Sequence, residues 1–324
     1  MGNLATATVV VRVTTCTESR YSNVLVLRFE NTLSKQLRSN LVGYAFVGPW
    51  IIGFLVFTAF PFLSSIYLSF NRYNIVKPPV WVGLQNYSTL FHDDPQFRQA
   101  LLVTLRFAFC SVPMSIVAGV CLALLLNQKV RGLSIYRTLF FLPSIVPTVA
   151  SATIFLWLFN PEIGLINQIL SLFHIQGPAW LLDTKWAPWS LIFMSLWGVG
   201  NSMVIYLAGL KDVPTYLYEA ALIDGANSLQ RLRHVTLPML TPVIFFNLVM
   251  GVIGSFQYFT EAYMMTKGGP EDATLYYALY LFMRAWRYLD MGYASALAWV
   301  LFAVVMSITL LLFRSQKKWV HYGS

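Results

Sequence analysis

Long apolar runs alternate with short polar breaks along most of the chain. Runs near the roughly 20 residues needed to cross a bilayer fall at about 41–70, 99–127, 138–160, 186–210, 240–266 and 291–313. Six transmembrane helices and an all-α, polytopic membrane fold are predicted. Residues 1–40 break the pattern: "MGNLATATVVVRVTTCTESRYSNVLVLRFE" is β-branched and polar, with charges every few residues. It is too interrupted for a span and lacks the apolar core and cleavage site of a signal peptide. A cytoplasmic N-terminal extension is expected there, then a transmembrane domain over 41–314 and a cytoplasmic tail over 315–324.

Composition agrees with the runs, at 57% hydrophobic and 11% charged residues. With both termini on one side, 14 basic residues fall in the segments there and 7 in those opposite. The positive-inside bias makes that first side cytoplasmic. The net charge of +9 is then topological bias. It is no nucleic-acid footprint, because the basic residues are divided among short loops. Cys16, Cys110 and Cys121 show no metal-ligand spacing. His92, His174, His234 and His321 fall in loops or tails, and "FHDDP" reads as a turn before a helix. No catalytic residues, metal or resident cofactor are expected.

One polar island interrupts the later spans, the connector over about 211–240 with its sequence "KDVPTYLYEAALIDGANSLQRLRHVTLPML". A short helix is predicted from Thr215 to Asp224. Gly225 suits the left-handed position that ends a helix, and Asn227 can cap the next piece by accepting near Gln230. On residue physics alone, an amphipathic connector resting among headgroups and a docking surface are equally good readings.

The order of residues separates them. "EAA", then "DGA", then "LP" resembles the signature of permease subunits of binding-protein-dependent ABC importers, with Glu219, Ala220, Ala221, Gly225, Leu237 and Pro238 at the matching positions and Asp224 between them. Further stretches resemble the carbohydrate-importer branch: "FVGPWIIGFLVFTAFPFLSSIYLSF", "WVGLQNYSTLF", "YRTLFFLPSIVPTVASATIFLWLFN", "FQYFTEAYMMTKGGP" and "DMGYASALAWVLF". Across 41–314 the chain also resembles a permease subunit of a bacterial alginate importer.

The resemblance implies a bacterial inner-membrane location and a partner set: a homologous second permease, two ATPase subunits and an external solute-binding protein. The connector would then be a coupling helix seated on an ATPase. ATP and Mg would be bound by those partners, consistent with the lack of any GxxxxGK[ST] phosphate loop here. Lys267 and Leu232 depart from residues common in the branch.

A transport path calls for polar groups that hydrocarbon penalises. Asn201 in the fourth run, Asn247, Gln257, Tyr258 and Glu261 in the fifth, and Arg106 in the second are the candidates, with Trp157 as a sugar-stacking face. Each has a plainer reading. Arg106 can snorkel to the interface, Glu261 can be a boundary residue, and the asparagines can bond across helices. An ion-gradient secondary transporter is the competing function, with Glu261 as its coupling carboxylate.

Overall fold

The computed structural model describes residues 40–128 and 131–321, so the expected N-terminal extension, with Cys16, and Lys129 lie outside the described residues. The chain divides into two units, residues 1–64 and 65–324. The described part of the first is helical from Asn40, and that helix, the first span, runs to Ser69. A π-helical turn at Leu55–Ala59 precedes Pro61. Widening of this kind follows where a proline has no N–H to donate and its ring pushes against the carbonyl four residues back.

Three further helices are long and apolar enough to cross a membrane: a second span, Pro95–Leu126, a fifth, Ser228–Met265, which is interrupted at Gln257–Phe259, and a sixth, Met291–Gln316. The third and fourth expected spans are bent pairs. Leu133–Ile145 meets Thr148–Leu158 at 97°, and Trp186–Gly198 meets Gly200–Lys211 at 48°. The chain is thus an all-α membrane protein of six spans, each bent pair being one span. Prolines break the third: Val146 is held extended at ψ 130 before Pro147, as a residue preceding proline must be. Glycine permits the fourth, because a β-carbon on Gly200 would collide with the Phe140 carbonyl. Neither break interrupts the apolar run, so hydropathy passes over both.

Within residues 65–324 the second span is the hub. It packs against Trp186–Ser195, Gly200–Lys211, Leu237–Phe256 and Tyr277–Phe282. One apolar cluster gathers near its start, around Phe97, Val103, Phe107, Tyr276, Tyr277 and Leu297. Another gathers near its end, around Val120, Ala123, Met203, Tyr206, Leu210 and Leu240.

The start of this hub is anchored by a buried carboxylate. Asp94 caps the helix ahead of Pro95, its Oδ1 accepting from Phe97 N–H at 3.0 Å. Its Oδ2 accepts from both the Tyr280 and Tyr293 hydroxyls. Arg284 donates from Nε to the Tyr280 oxygen at 2.7 Å and stands 3.5 Å from Asp94 Oδ2, the one ion pair among the described residues. Its guanidinium also lies over the Tyr280, Tyr288 and Tyr293 rings. Burial pushes the Asp94 carboxyl up, but the two phenols, the Phe97 N–H and the Arg284 charge together hold it below the usual carboxylate range. One side chain thereby ties the second span to the segment 280–284 and the start of the sixth. Nearby, Gly292 packs so closely on the Asn71 carbonyl that a β-carbon would collide with it. Asn71–Arg72 pairs antiparallel with Val80–Trp81, a two-stranded sheet.

Candidate functional site

Between the two apolar clusters, the second span turns small hydroxyls inward. Ser111 and Ser115, one helical turn apart, line a cavity of about 480 Å³ closed by the fourth and fifth spans. The fourth contributes Asn201, Ser202 and Tyr206, and the fifth contributes Asn247, Ser255, Tyr258 and Glu261. A break at Gln257–Phe259 lets Tyr258 and Glu261 reach this wall, because the last turn, Thr260–Met265, restarts after it. The Tyr258 and Phe107 rings meet at a tilt of 31°, 4.4 Å between centroids. Asn247 Nδ2 donates to its own helix at Val243 O, 2.9 Å away.

Two wall groups are left without partners. The hydroxyls of Tyr206 and Tyr258 are buried with no hydrogen-bond partner in the structure. An unpaired phenol costs on the order of 1–3 kcal/mol, a deficit that a polar ligand entering the cavity removes. Glu261 also lines a neighbouring cavity of about 430 Å³, with Ser144, Ser151 and Asn201. The wall therefore offers amides, hydroxyls, one carboxylate and aromatic faces.

Four of the seven pathway candidates, Asn201, Asn247, Tyr258 and Glu261, are brought together here. The other three are not. Gln257 is exposed where the helix ends, Trp157 is exposed on Thr148–Leu158, and Arg106 lines a separate cavity. Tyr206, Ser111, Ser115 and Ser255 are residues the sequence reading does not single out. Ser111 and Ser115 at i and i+4 in an apolar run were the available signal, whereas a tyrosine among apolar residues carries none.

The connector occupies the other end of the bundle. Thr215–Ile223 is a helix, and Gly225 follows at φ +76. Gly225 N–H bonds to Leu222 O at 3.1 Å and Ala226 N–H to Ala221 O at 2.8 Å, the paired bonds of a Schellman ending. Asn227 and Gln230 then cap each other reciprocally, both at 2.8 Å. The next helix begins at Ser228 and continues through a π-helical turn, Leu232–Thr236, into Leu237 and Pro238 without stopping. The separate second helical piece expected from the sequence is therefore the first turn of the fifth span. Pro238, four residues past His234, accounts for the widened turn. Tyr218 hydroxyl meets Thr236 Oγ1 at 3.0 Å, bracing the two arms.

Glu219 and Ala220 are exposed on this brace, Ala221 is half-buried, and Asp224 caps the helix end in solvent. Ile223 is 87% exposed, and Leu229, past the bend at Gly225, is exposed too. His321 N–H bonds to Thr241 Oγ1 at 2.9 Å, so the chain's last described residue lies at this same end.

Known proteins resemble this chain along most of its length. A family model described as "Binding-protein-dependent transport system inner membrane component" matches residues 112–320. The probable ABC transporter permease protein YesP of Bacillus subtilis is 47% identical over 291 residues, covering 89% of this chain and 94% of that protein. The arabinooligosaccharides transport system permease protein AraP of the same organism is 34% identical over 273 residues, covering 83% and 86%. Among solved structures, a bacterial alginate ABC transporter in complex with an alginate pentasaccharide-bound periplasmic protein contains a chain that superposes with a TM-score of 0.77 at 22% identity, covering 88% of this chain and 96% of that one. That last likeness is one of fold. These relatives do not favour an ion-coupled carrier. The chain belongs to the family of binding-protein-dependent transport system inner membrane components, as a multi-pass permease subunit.

Proposed function

We propose that this permease carries a carbohydrate inward as one half of an ATP-driven import path. A homologous second permease supplies the other half, and an external binding protein delivers the sugar. The observation that supports this most is the cavity lined by Asn201, Asn247, Ser111, Ser115 and Glu261, with unpaired Tyr206 and Tyr258 hydroxyls and the Phe107 and Tyr258 rings. Amides and hydroxyls match the donors and acceptors of a sugar, and aromatic faces take its C–H surface. The oligosaccharide named for the relative AraP is of that chemical class, and an alginate fragment is a further candidate. Gln257, Trp157 and Arg106 lie outside this cavity and are given no place in the sugar site.

At the other end, Glu219, Ala220, Ala221, Asp224, Gly225, Leu237 and Pro238 form the joint with one of two partner ATPases, which bind ATP and Mg. The exposed apolar Ile223 and Leu229 fit a surface that another protein covers. Tyr218 against Thr236 and the unbroken run into Pro238 support transmission of a rigid-body movement to the fifth span. Both termini, in this reading, are cytoplasmic.

The test is uptake by the assembled complex in vesicles, with binding protein and a panel of labelled oligosaccharides. Saturable, ATP-dependent uptake of at least one sugar is expected, and Asn201→Ala raises its KM. Uptake driven by an ion gradient with no ATP present refutes the reading.

A further inference from the structure

Arg106 leads to a second cavity, of about 490 Å³, beside the start of the second span. Lys185 lines it too, with Gln99, Thr184, Glu271 and Tyr276 among the other polar side chains at the wall. Neither cation has a carboxylate within ion-pair distance, since the one ion pair among the described residues is Arg284–Asp94. A guanidinium on a membrane span without a counterion is costly, and such residues are found with a partner or a cavity.

The cavity's two sides differ. At its back, the Phe107, Tyr258 and Tyr276 rings are in mutual contact, with centroids 4.4 to 5.1 Å apart. They stand between it and the cavity of the candidate site, and Phe107 is the only lining residue the two share. On its other side Trp189 lines it and is exposed, as are Leu102, Phe109 and Phe193 on the same two helices, Phe109 by 81%. Leu102, Arg106 and Phe109 lie at i, i+4 and i+7 of one helix, and Trp189 and Phe193 at i and i+4 of the next, so the cations sit at the edge of an apolar face. Because the aromatic wall separates it from the sugar cavity, a side pocket open to lipid fits better than a stage of the transport path.

We propose that this cavity binds the phosphate headgroup of an anionic phospholipid, whose acyl chains lie along Phe109 and Phe193. Arg106 offers the two parallel N–H donors that match phosphate oxygens, and Lys185 adds a compact charge. With Glu271 set against the two cations, one net positive charge remains, which matches the single negative charge of phosphatidylglycerol. The apolar rim selects a ligand with a tail over a soluble anion.

The experiment uses the full chain with whatever subunits copurify. It is reconstituted in phosphatidylcholine nanodiscs holding a minor share of phosphatidylglycerol, and native mass spectrometry counts the lipids each protein retains. Wild type is expected to retain phosphatidylglycerol in preference to phosphatidylcholine. Arg106→Gln and Lys185→Gln are each expected to weaken that retention about 5-fold, and the double variant to abolish the preference. Arg314→Gln, at the far end of the sixth span, leaves it unchanged. Equal retention by a double variant that still unfolds at the wild-type temperature overturns the proposal. A wild type with no preference overturns it without recourse to any variant. Displacement of the lipid by a soluble uronate trisaccharide overturns it too, and reassigns the cavity to carboxylates in solution.

Discussion

Both ends of the second-to-fifth-span bundle use a capping residue to start a helix, yet the two caps sit in opposite surroundings. Asp94 is buried and serves three neighbours besides its own helix start: the Tyr280 phenol, the Arg284 guanidinium and the Tyr293 phenol at the beginning of the sixth span. Asn227 is exposed and exchanges bonds only with Gln230, three residues on. Around Asp94, Leu90, Phe97, Tyr280 and Tyr293 are packed away; around Asn227, Ile223 and Leu229 face outward. A buried polar network that is fully satisfied holds elements in register. A locally capped loop with apolar residues outside has a shape of its own and leaves its contact surface to be covered by something else. The first end is built as an anchor, and the second has the form of the joint proposed above.

Removing the anchor carries the largest expected effect. Asp94→Ala strands the Tyr280 and Tyr293 hydroxyls and the Arg284 guanidinium, and is expected to destabilise the protein by about 3–5 kcal/mol, as loss of one partner of a buried ion pair does. Thermal unfolding in detergent reads this out. A loss below about 1 kcal/mol, the size of an ordinary cap, would mean that Asp94 does no more than Asn227. The same carboxylate makes the anchor acid-sensitive. Its folded pKa is depressed, so its contribution is complete above the ordinary value of 3.8 and runs down as pH falls through the lower folded value. Asp94→Asn should flatten that part of the stability profile.

Gly292→Ala tests the neighbouring contact with the Asn71 carbonyl. Backbone on both sides leaves the new methyl little room, and overpacking of this kind costs about 1–3 kcal/mol. If unfolding is unchanged, the sixth span can shift away from Asn71 and this end is less rigid than its network suggests.

The same contrast decides what could be read from the chain. The joint was legible because its signals are local: Gly225 after a helix, Asn227 three before Gln230, a proline opening the next span. The anchor was not, since Asp94 meets Tyr280, Arg284 and Tyr293 across nearly two hundred residues, and "DDP" alone announces a helix start and nothing about its partners. The spans themselves were legible from hydropathy, while the bends at Val146 and Gly200 were hidden by apolar residues that run straight through. In the cavity, Asn201, Asn247 and Glu261 stood out as polar letters in apolar runs. Tyr206 did not, because burial without a hydrogen-bond partner is a property of three dimensions.

At the joint, effects on stability and on coupling should separate. Gly225→Ala has room for its methyl, since nothing lies within 4 Å, but must hold φ +76. About 1 kcal/mol of strain is expected, enough to loosen the Schellman ending without unfolding the bundle. Capture of a partner ATPase from native membranes is expected to fall well below wild type. Full capture with that strain present would show that docking tolerates a loosened bend.

Glu219→Lys is the smallest change to the fold and the sharpest test of the comparison. The carboxylate is exposed, sits mid-helix between Thr215 and Ile223, and makes no hydrogen bond or ion pair among the described residues. Surface substitutions of this kind leave folding nearly untouched, so the unfolding temperature should match wild type. If the exposed end is a joint, reversing this charge still weakens ATPase capture, because the residue's partner lies on another protein. Equal capture together with equal stability would leave Glu219 a solvated carboxylate and move the docking contact to Ile223 and Leu229, where Ile223→Ser is the next substitution to measure.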